Sequence, residues 1–307
     1  FAVFNLPRTH ESGMWPEKCP EITYDPYEIP LPPTFPDTPK VREAMARMYT
    51  NISHCDTILG EYLQQLEEDG LADNTVVFHW SDHGPLPRGK RWPYDSGVHV
   101  PMIVRWPGVL DPGSVSEELL STVDLGPTVL SVAGIDVPWH MQGQAFLGDQ
   151  AGPPREYVYM SRDRYDESYD MVRAVRDKRY KYIRNYHPEL PYLLWIPFRN
   201  RHPILQEMWR LHLRGELEGP QTLLMQGSRP VEELYDTQAD PHETENLAGD
   251  AAYEPELDRL RSALDDWRDE VGDLGEIPES EMVRQWYPDG KRPKTAPPVL
   301  IPICNDS

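Results

Sequence analysis

An α/β domain followed by a smaller α+β subdomain is the fold this sequence predicts, and three observations predict it. Two short apolar runs, Val76-Val77-Phe78 and Val100-Pro101-Met102-Ile103-Val104, have the length and composition of strands buried in an α/β sheet. Ahead of them, Val41, Met45, Met48, Ile52, Cys55, Leu59, Tyr62 and Leu66 step by fours and threes, which is one face of a long amphipathic helix. After them, residues 157–160, 171–176 and 180–184 read as strands of an antiparallel sheet, with Leu257, Leu260, Leu264 and Trp267 on one face of a helix beyond it.

Taken in order, the chain opens on Phe1-Ala2-Val3-Phe4, which reads as the middle of a buried strand, so the sequence is expected to be the carboxyl-terminal portion of a longer protein. His10 follows in a loop. Residues 16–39 carry eight prolines and are expected to be extended loop, neither helix nor central strand. Thr38-Pro39 then caps the amphipathic helix and Gly70 stops it. Cys55 on its apolar face reads as core. The first strand ends abruptly in Ser81-Asp82-His83-Gly84. In an open α/β sheet ligands bind beyond the carboxyl ends of strands, so an acid and an imidazole placed there suit chemistry better than packing. Asp82 and His83 are read as metal ligands and Lys90, between glycine-flanked turns, as an anion holder.

Residues 121–130 start a short helix ended at Gly134. A Gly-Pro-rich joint at 148–154 marks a boundary, giving an expected large-domain part at 1–147, a subdomain at 155–272 and a Pro-rich tail at 273–307. Asp177-Lys178 reads as a hairpin turn. Residues 162–167, Arg-Asp-Arg-Tyr-Asp-Glu, read as a charged segment between strands in which Arg162 and Arg164 could bind a sulfated or carboxylated sugar bidentately. His99 is a further candidate pocket residue.

The totals exclude some classes. A formal charge of -21 gives no net attraction for a nucleic-acid backbone, although a small anionic substrate responds to local charge instead. Three cysteines, Cys19, Cys55 and Cys304, supply neither a disulfide framework nor a C-x-x-C zinc spacing. No stretch approaches the roughly 20 apolar residues of a membrane span.

The order strand end, Asp82-His83 pair, Gly89-Lys90, Tyr94-Asp95-Ser96-Gly97, second strand and Arg105-Trp106-Pro107-Gly108 resembles the sulfatase family of the alkaline phosphatase superfamily. The resemblance runs along nearly the whole chain. It is nearest the sulfamidase branch in residues 233–247 and in Tyr24-Asp25-Pro26 with the loop after it. It implies a mixed sheet sandwiched by helices, with a smaller subdomain leaning over the pocket. It also implies calcium at Asp82 and His83, a sulfate oxygen on Lys90, and His10 as proton donor to the leaving group or sulfate ligand. Calcium prefers oxygen ligands, and His83 offers nitrogen where many members offer an Asn oxygen.

The family's nucleophile is a formylglycine made from the Cys of a Cys-x-Pro/Ala-x-Arg motif, and none of the three cysteines sits in one. By the resemblance that motif belongs to an amino-terminal half, so this chain alone is expected to have little or no activity. The expected function is hydrolysis of a sulfate ester or sulfamate on a sulfated sugar or glycan, in a periplasmic, secreted or lysosome-like setting. The rivals are a phosphodiesterase or phosphonate hydrolase of the same superfamily and a non-catalytic remnant that binds sulfated glycans.

Overall fold

The computed structural model describes residues 1–84 and 87–291. Backbone contacts divide the chain into two compact units, Phe1–Asp266 and Trp267–Ser307, so the joint expected at 148–154 falls inside the first.

The first unit is built on a long helix, α1 (Pro39–Glu68). The Thr38 hydroxyl accepts the N–H of Val41 at 3.4 Å, satisfying a donor that the first turn leaves open. Gly70, at φ +68°, ends the run in the left-handed region that glycine enters at no steric cost. The apolar face of α1 is buried near its start, where Val41, Ala44 and Met45 join a core containing Ile204, Leu205 and Met208. Ile52 does not share it and is exposed.

Strands β1 (Val77–Trp80) and β2 (Met102–Arg105) pair antiparallel, Phe78 opposite Val104, with the short helix α2 (Asp95–Val98) between them. They were expected to be fully buried and are only partly so. Phe78 meets Phe146 edge-on at 6.5 Å, while Ile103 is exposed on a ladder two strands wide among the described residues. Helix α3 (Leu125–Val132) follows a turn in which Ser121 and Asp124 cap each other reciprocally.

A four-stranded antiparallel sheet, order β3-β4-β5-β6, comprises β3 (Val158–Tyr165), β4 (Ser168–Arg176), β5 (Tyr180–Asn185) and β6 (Glu232–Asp236). The hairpin at Asp177-Lys178 stands as expected, with the Asp177 N–H donating to the Tyr180 carbonyl at 3.0 Å. Helices α4 (Pro197–Asn200) and α5 (Pro203–His212), which no reading of the sequence proposed, complete the middle of the chain. Val172, Ala174 and Ile183 of the sheet share the core with Trp92 and Tyr94. Burying side chains of this size contributes about 1.5–3 kcal/mol each, so the segment after β1 is fastened into the core by its aromatic residues. Helix α6 (Glu254–Val271) buries Leu257, Leu260 and Leu264 as its periodicity requires.

The second unit takes over in the last turn of α6, where Arg268 pairs with Asp273 and Glu276, each at 2.8 Å. It contains a helix, α7 (Glu279–Trp286), where the sequence suggested only a Pro-rich wrap. The remainder of that tail, from 292 and including Cys304, lies outside the described residues.

Residues 1–4 and 162–167 also depart from expectation. Residues 1–4 form no strand: a strand needs ladder partners for its N–H and C=O groups, and none flanks them among the described residues. They are exposed, and Phe4 stacks on Tyr62 at 4.4 Å. The charged segment 162–167 is no loop either, since Arg162 and Arg164 lie within β3 at a bulge and only Asp166-Glu167 form the turn.

Candidate active site

The site is assembled on the segment that leaves β1. Gly84 donates its N–H to the Gly97 carbonyl at 2.9 Å, and a Cβ on Gly84 would meet the Ser96 carbonyl oxygen at 1.9 Å. A Cβ on Gly97 would meet the Gly89 oxygen at 2.2 Å. Both positions therefore require glycine for close approach of backbone to backbone.

Asp82 and His83 stand together at the strand end. The His83 Nδ1–H donates to the Gly84 carbonyl at 2.8 Å, which leaves Nε2 as a bare lone pair 3.4 Å from Asp82 Oδ2. A lone pair and a carboxylate oxygen at that separation repel unless a cation or proton lies between them, and Asp82 is 85% exposed. These donors fit part of a divalent-cation site. No group of three or more His, Cys, Asp or Glu with metal-binding geometry occurs among the described residues.

Lys90 reaches the carboxylate of Glu11 at 3.9 Å, which brings it to the loop carrying His10. Glu11 is buried; its Oε2 also lies 3.7 Å from Arg91 Nη1, and neither carboxylate oxygen makes a hydrogen bond. Arg91 holds φ at +83°, a left-handed conformation costly for a long side chain and commonest where function requires it. His10 sits between two turns of 3-10 helix. Its Nδ1 accepts from the Ser12 N–H at 3.3 Å, with the Ser12 hydroxyl at 3.0 Å, so the neutral ring carries its proton on Nε2. No hydrogen bond or ion pair among the described residues joins the Asp82–His83 pair to Lys90.

Of the other sequence candidates, Arg162 is buried. Its guanidinium lies 4.0 Å over Trp92 and 3.0 Å from Asp170, which Arg229 grips bidentately at 2.7 and 2.8 Å. Arg164 packs over Tyr169 at 4.9 Å. His99 is 73% exposed, 3.7 Å from Asp95.

A buried ionic clamp, which sequence reasoning missed, holds the Lys90 loop against the four-stranded sheet. Lys181 contacts Asp95 at 2.5 Å, Glu243 at 2.8 Å and the Pro93 carbonyl at 2.8 Å. Arg176 adds a second cation on Asp95 at 3.0 Å, and Glu243 accepts the Asp95 N–H at 2.6 Å. Arg88 donates to the carbonyls of His242 and Glu243, both at 2.6 Å. Burial alone would raise the Asp95 pKa, but Lys181 and Arg176 overcome it and hold the acid below its ordinary value. Glu243 goes the other way: burial dominates and raises it, with Lys181 offsetting only part. The only sequence signal for this clamp was the Tyr-Asp-Ser-Gly phrase itself, whose partners are more than eighty positions distant.

With this geometry in hand, likeness to known proteins is informative. Residues 2–135 match the sulfatase family model and residues 83–195 match the N-sulphoglucosamine sulphohydrolase carboxyl-terminal model. The chain belongs to the sulfatase family. It is 39% identical, over 97% of its length, to an ulvan-active sulfatase of Formosa agariphila, covering 56% of that protein. To human N-sulphoglucosamine sulphohydrolase it is 30% identical over 96% of the chain and 60% of the relative. It thus spans little more than half the length of these curated relatives. Among solved structures, one determined with its substrate D-glucosamine-2-N,6-O-disulfate shares the fold, with a TM-score of 0.57 and 22% identity over 77% of this chain and 43% of the other. Sulfatases generally use a divalent metal. No helix among the described residues is long and apolar enough to cross a membrane.

Proposed function

We propose that this chain supplies the cation-holding, sulfate-holding and proton-donating part of a sulfatase site that hydrolyses a sulfate ester or sulfamate on a sulfated sugar or glycan. The observation that carries this is the approach of Lys90 to Glu11, which puts an ammonium beside the loop of His10. Hydrolysis of such an anion needs positive charge on the sulfate oxygens and an acid at the leaving atom. Lys90 holds a sulfate oxygen. His10, when doubly protonated with Nδ1–H directed to the Ser12 hydroxyl, gives its Nε2 proton to the departing oxygen or nitrogen and returns to the neutral ring. Asp82 and His83 would hold part of the shell of a divalent cation, calcium by the family resemblance, and that cation would supply positive charge for the sulfate oxygens. Arg162, Arg164 and His99 contact the sugar.

The names of the relatives, a sulfatase active on ulvan and a sulphohydrolase of N-sulphoglucosamine, support a sulfated glycan as substrate and a compartment that is periplasmic, secreted or lysosome-like. The formylglycine nucleophile is supplied from outside these residues, because Cys19, Cys55 and Cys304 lack the required motif.

The test is release of inorganic sulfate from sulfated sugars by the natural polypeptide that contains this chain. Lys90→Ala is expected to lower kcat/KM about 10²–10³-fold, the scale of one lost oxyanion donor. Faster turnover of phosphonate or phosphate diesters than of sulfates would favour the superfamily rival. Binding of sulfated glycans without cleavage would make the protein a binding remnant.

A further inference from the structure

Beyond Lys90, a second group of cations is buried without adequate partners. Arg91, Arg162 and Arg199 are all more than nine-tenths buried. Nε and Nη1 of Arg91, all three guanidinium nitrogens of Arg162 and Nη1 of Arg199 are buried with no hydrogen-bond partner, and so is the indole N–H of Trp92, on which Arg162 lies. The three arginines form one electrostatic group. Burial, then the positive fields of Arg91 and Arg162, push the Arg199 pKa down to about 10. Burial likewise pushes Arg162 down to about 10, and Asp170, already gripped by Arg229, only partly offsets it.

The nearby acids do not balance this charge. Glu11 is shared between Lys90 and Arg91, Asp166 pairs with Arg91 at 3.3 Å, and the fields of both acids on Arg199 fall short of offsetting its burial and its cationic neighbours. Buried cations left so are strongly destabilising unless something satisfies both charge and donors. Water can satisfy the donors but not the charge. An oxyanion does both, because its several oxygens match the fork geometry of guanidinium groups. Arg91 bears a left-handed backbone at a conformational cost, with its Nη1 3.7 Å from Glu11 Oε2.

We propose that Arg91, Arg162 and Arg199 form a second oxyanion site, which takes a carboxylate or sulfate carried by the glycan in addition to the sulfate that is cleaved. The glycan as source rests on the sulfatase reading above. An oxyanion site as such does not, since a free inorganic anion would fill it equally well.

Two measurements on the natural polypeptide separate these sources. In the first, thermal unfolding of Lys90→Ala is followed in inorganic sulfate against chloride at equal ionic strength, with and without Arg199→Met. Lys90→Ala removes the sulfate contact at the catalytic position, so stabilisation by sulfate that Arg199→Met abolishes belongs to the second site. In the second, kcat/KM is compared for two sulfated sugars that differ only in one extra carboxylate or sulfate. The wild-type preference for the more acidic sugar is expected to be about tenfold or more, the scale of one charge-assisted contact, and to collapse toward unity in Arg199→Met.

A collapsed preference assigns the site to the glycan. Sulfate stabilisation with an unchanged preference assigns it to a free anion and overturns the glycan source. No stabilisation together with an unchanged preference overturns the site itself. A polypeptide that cleaves no sulfate sinks the sulfatase reading, while the unfolding measurement still decides whether the anion site exists. Arg91→Met repeats both measurements if Arg199→Met does not fold.

Discussion

At the scale of single residues, the candidate site depends on which atoms are left available. His83 commits Nδ1 to a backbone carbonyl and turns a bare Nε2 toward Asp82, so a cation bound there should need both side chains. Asp82→Ala in the natural polypeptide is expected to lose bound calcium, measured as metal per protein after dialysis; unchanged metal content would remove Asp82 from the site. His10→Ala is expected to slow hydrolysis about 10²–10⁴-fold for alkyl sulfates or sulfamates, whose leaving groups need a proton. An aryl sulfate with an acidic leaving group should be hardly affected, and equal losses on both would argue against a proton donor. Asp82, His83, Lys90 and His10 stand out as candidates in the sequence because each sits in a short phrase at a strand or loop end. Glu11, Arg91 and Arg199 were not, because their role comes from burial and from a left-handed backbone at Arg91, neither of which composition or spacing reveals.

At the scale of elements, the Lys90 loop is held by charges that the fold gathers from distant strands. Lys181→Met would leave Asp95 and Glu243 facing each other without their shared cation, and the expected loss in urea unfolding is about 3–5 kcal/mol. A loss within the noise of a surface substitution would show the clamp to be idle.

The clamp also gives a signed pH dependence. Asp95 is held below its ordinary value of 3.8 in the folded protein, so its stabilising contribution is present above that pH and is lost as pH falls further, through the folded value. Asp95→Asn should therefore be less stable than wild type near neutrality, with the gap closing in acid; a gap that widens in acid would contradict the assignment. Gly97→Ala, whose Cβ has no room beside the Gly89 carbonyl, should disturb the same loop. Its expected cost is about 1–3 kcal/mol, as for other overpacked positions.

Elements were legible where local signals agreed. The cap, period and stop of α1 all pointed to one helix, and the hairpin at Asp177 carried its own turn chemistry. Helices α5 and α7 were missed for a different reason: α5 opens on Pro203 and α7 follows Pro278 in a tail read as a Pro-rich wrap, although proline is well tolerated in a helix's first turn.

At the scale of the whole molecule, the charge of -21 and the buried cations are reconciled by location. A net charge of -21 gives no net attraction for a nucleic-acid backbone, while Arg91, Arg162 and Arg199 keep positive charge inside the acidic chain, available to a local anion. The family was legible because its phrases are spread along the chain, from His10 to Asn246; family models match residues 2–135 and 83–195, and likeness to an ulvan-active sulfatase extends over 97% of the chain. The nucleophile was not legible because none of these 307 residues supplies its motif.

The most direct test of the central claim is release of inorganic sulfate from a sulfated sugar by the natural polypeptide, wild type beside Lys90→Ala. Hydrolysis by the wild type that Lys90→Ala lowers about 10²–10³-fold is the result expected if Lys90 holds a sulfate oxygen. Hydrolysis that is indifferent to the loss of Lys90, or no sulfate release from any sulfated sugar, would contradict it.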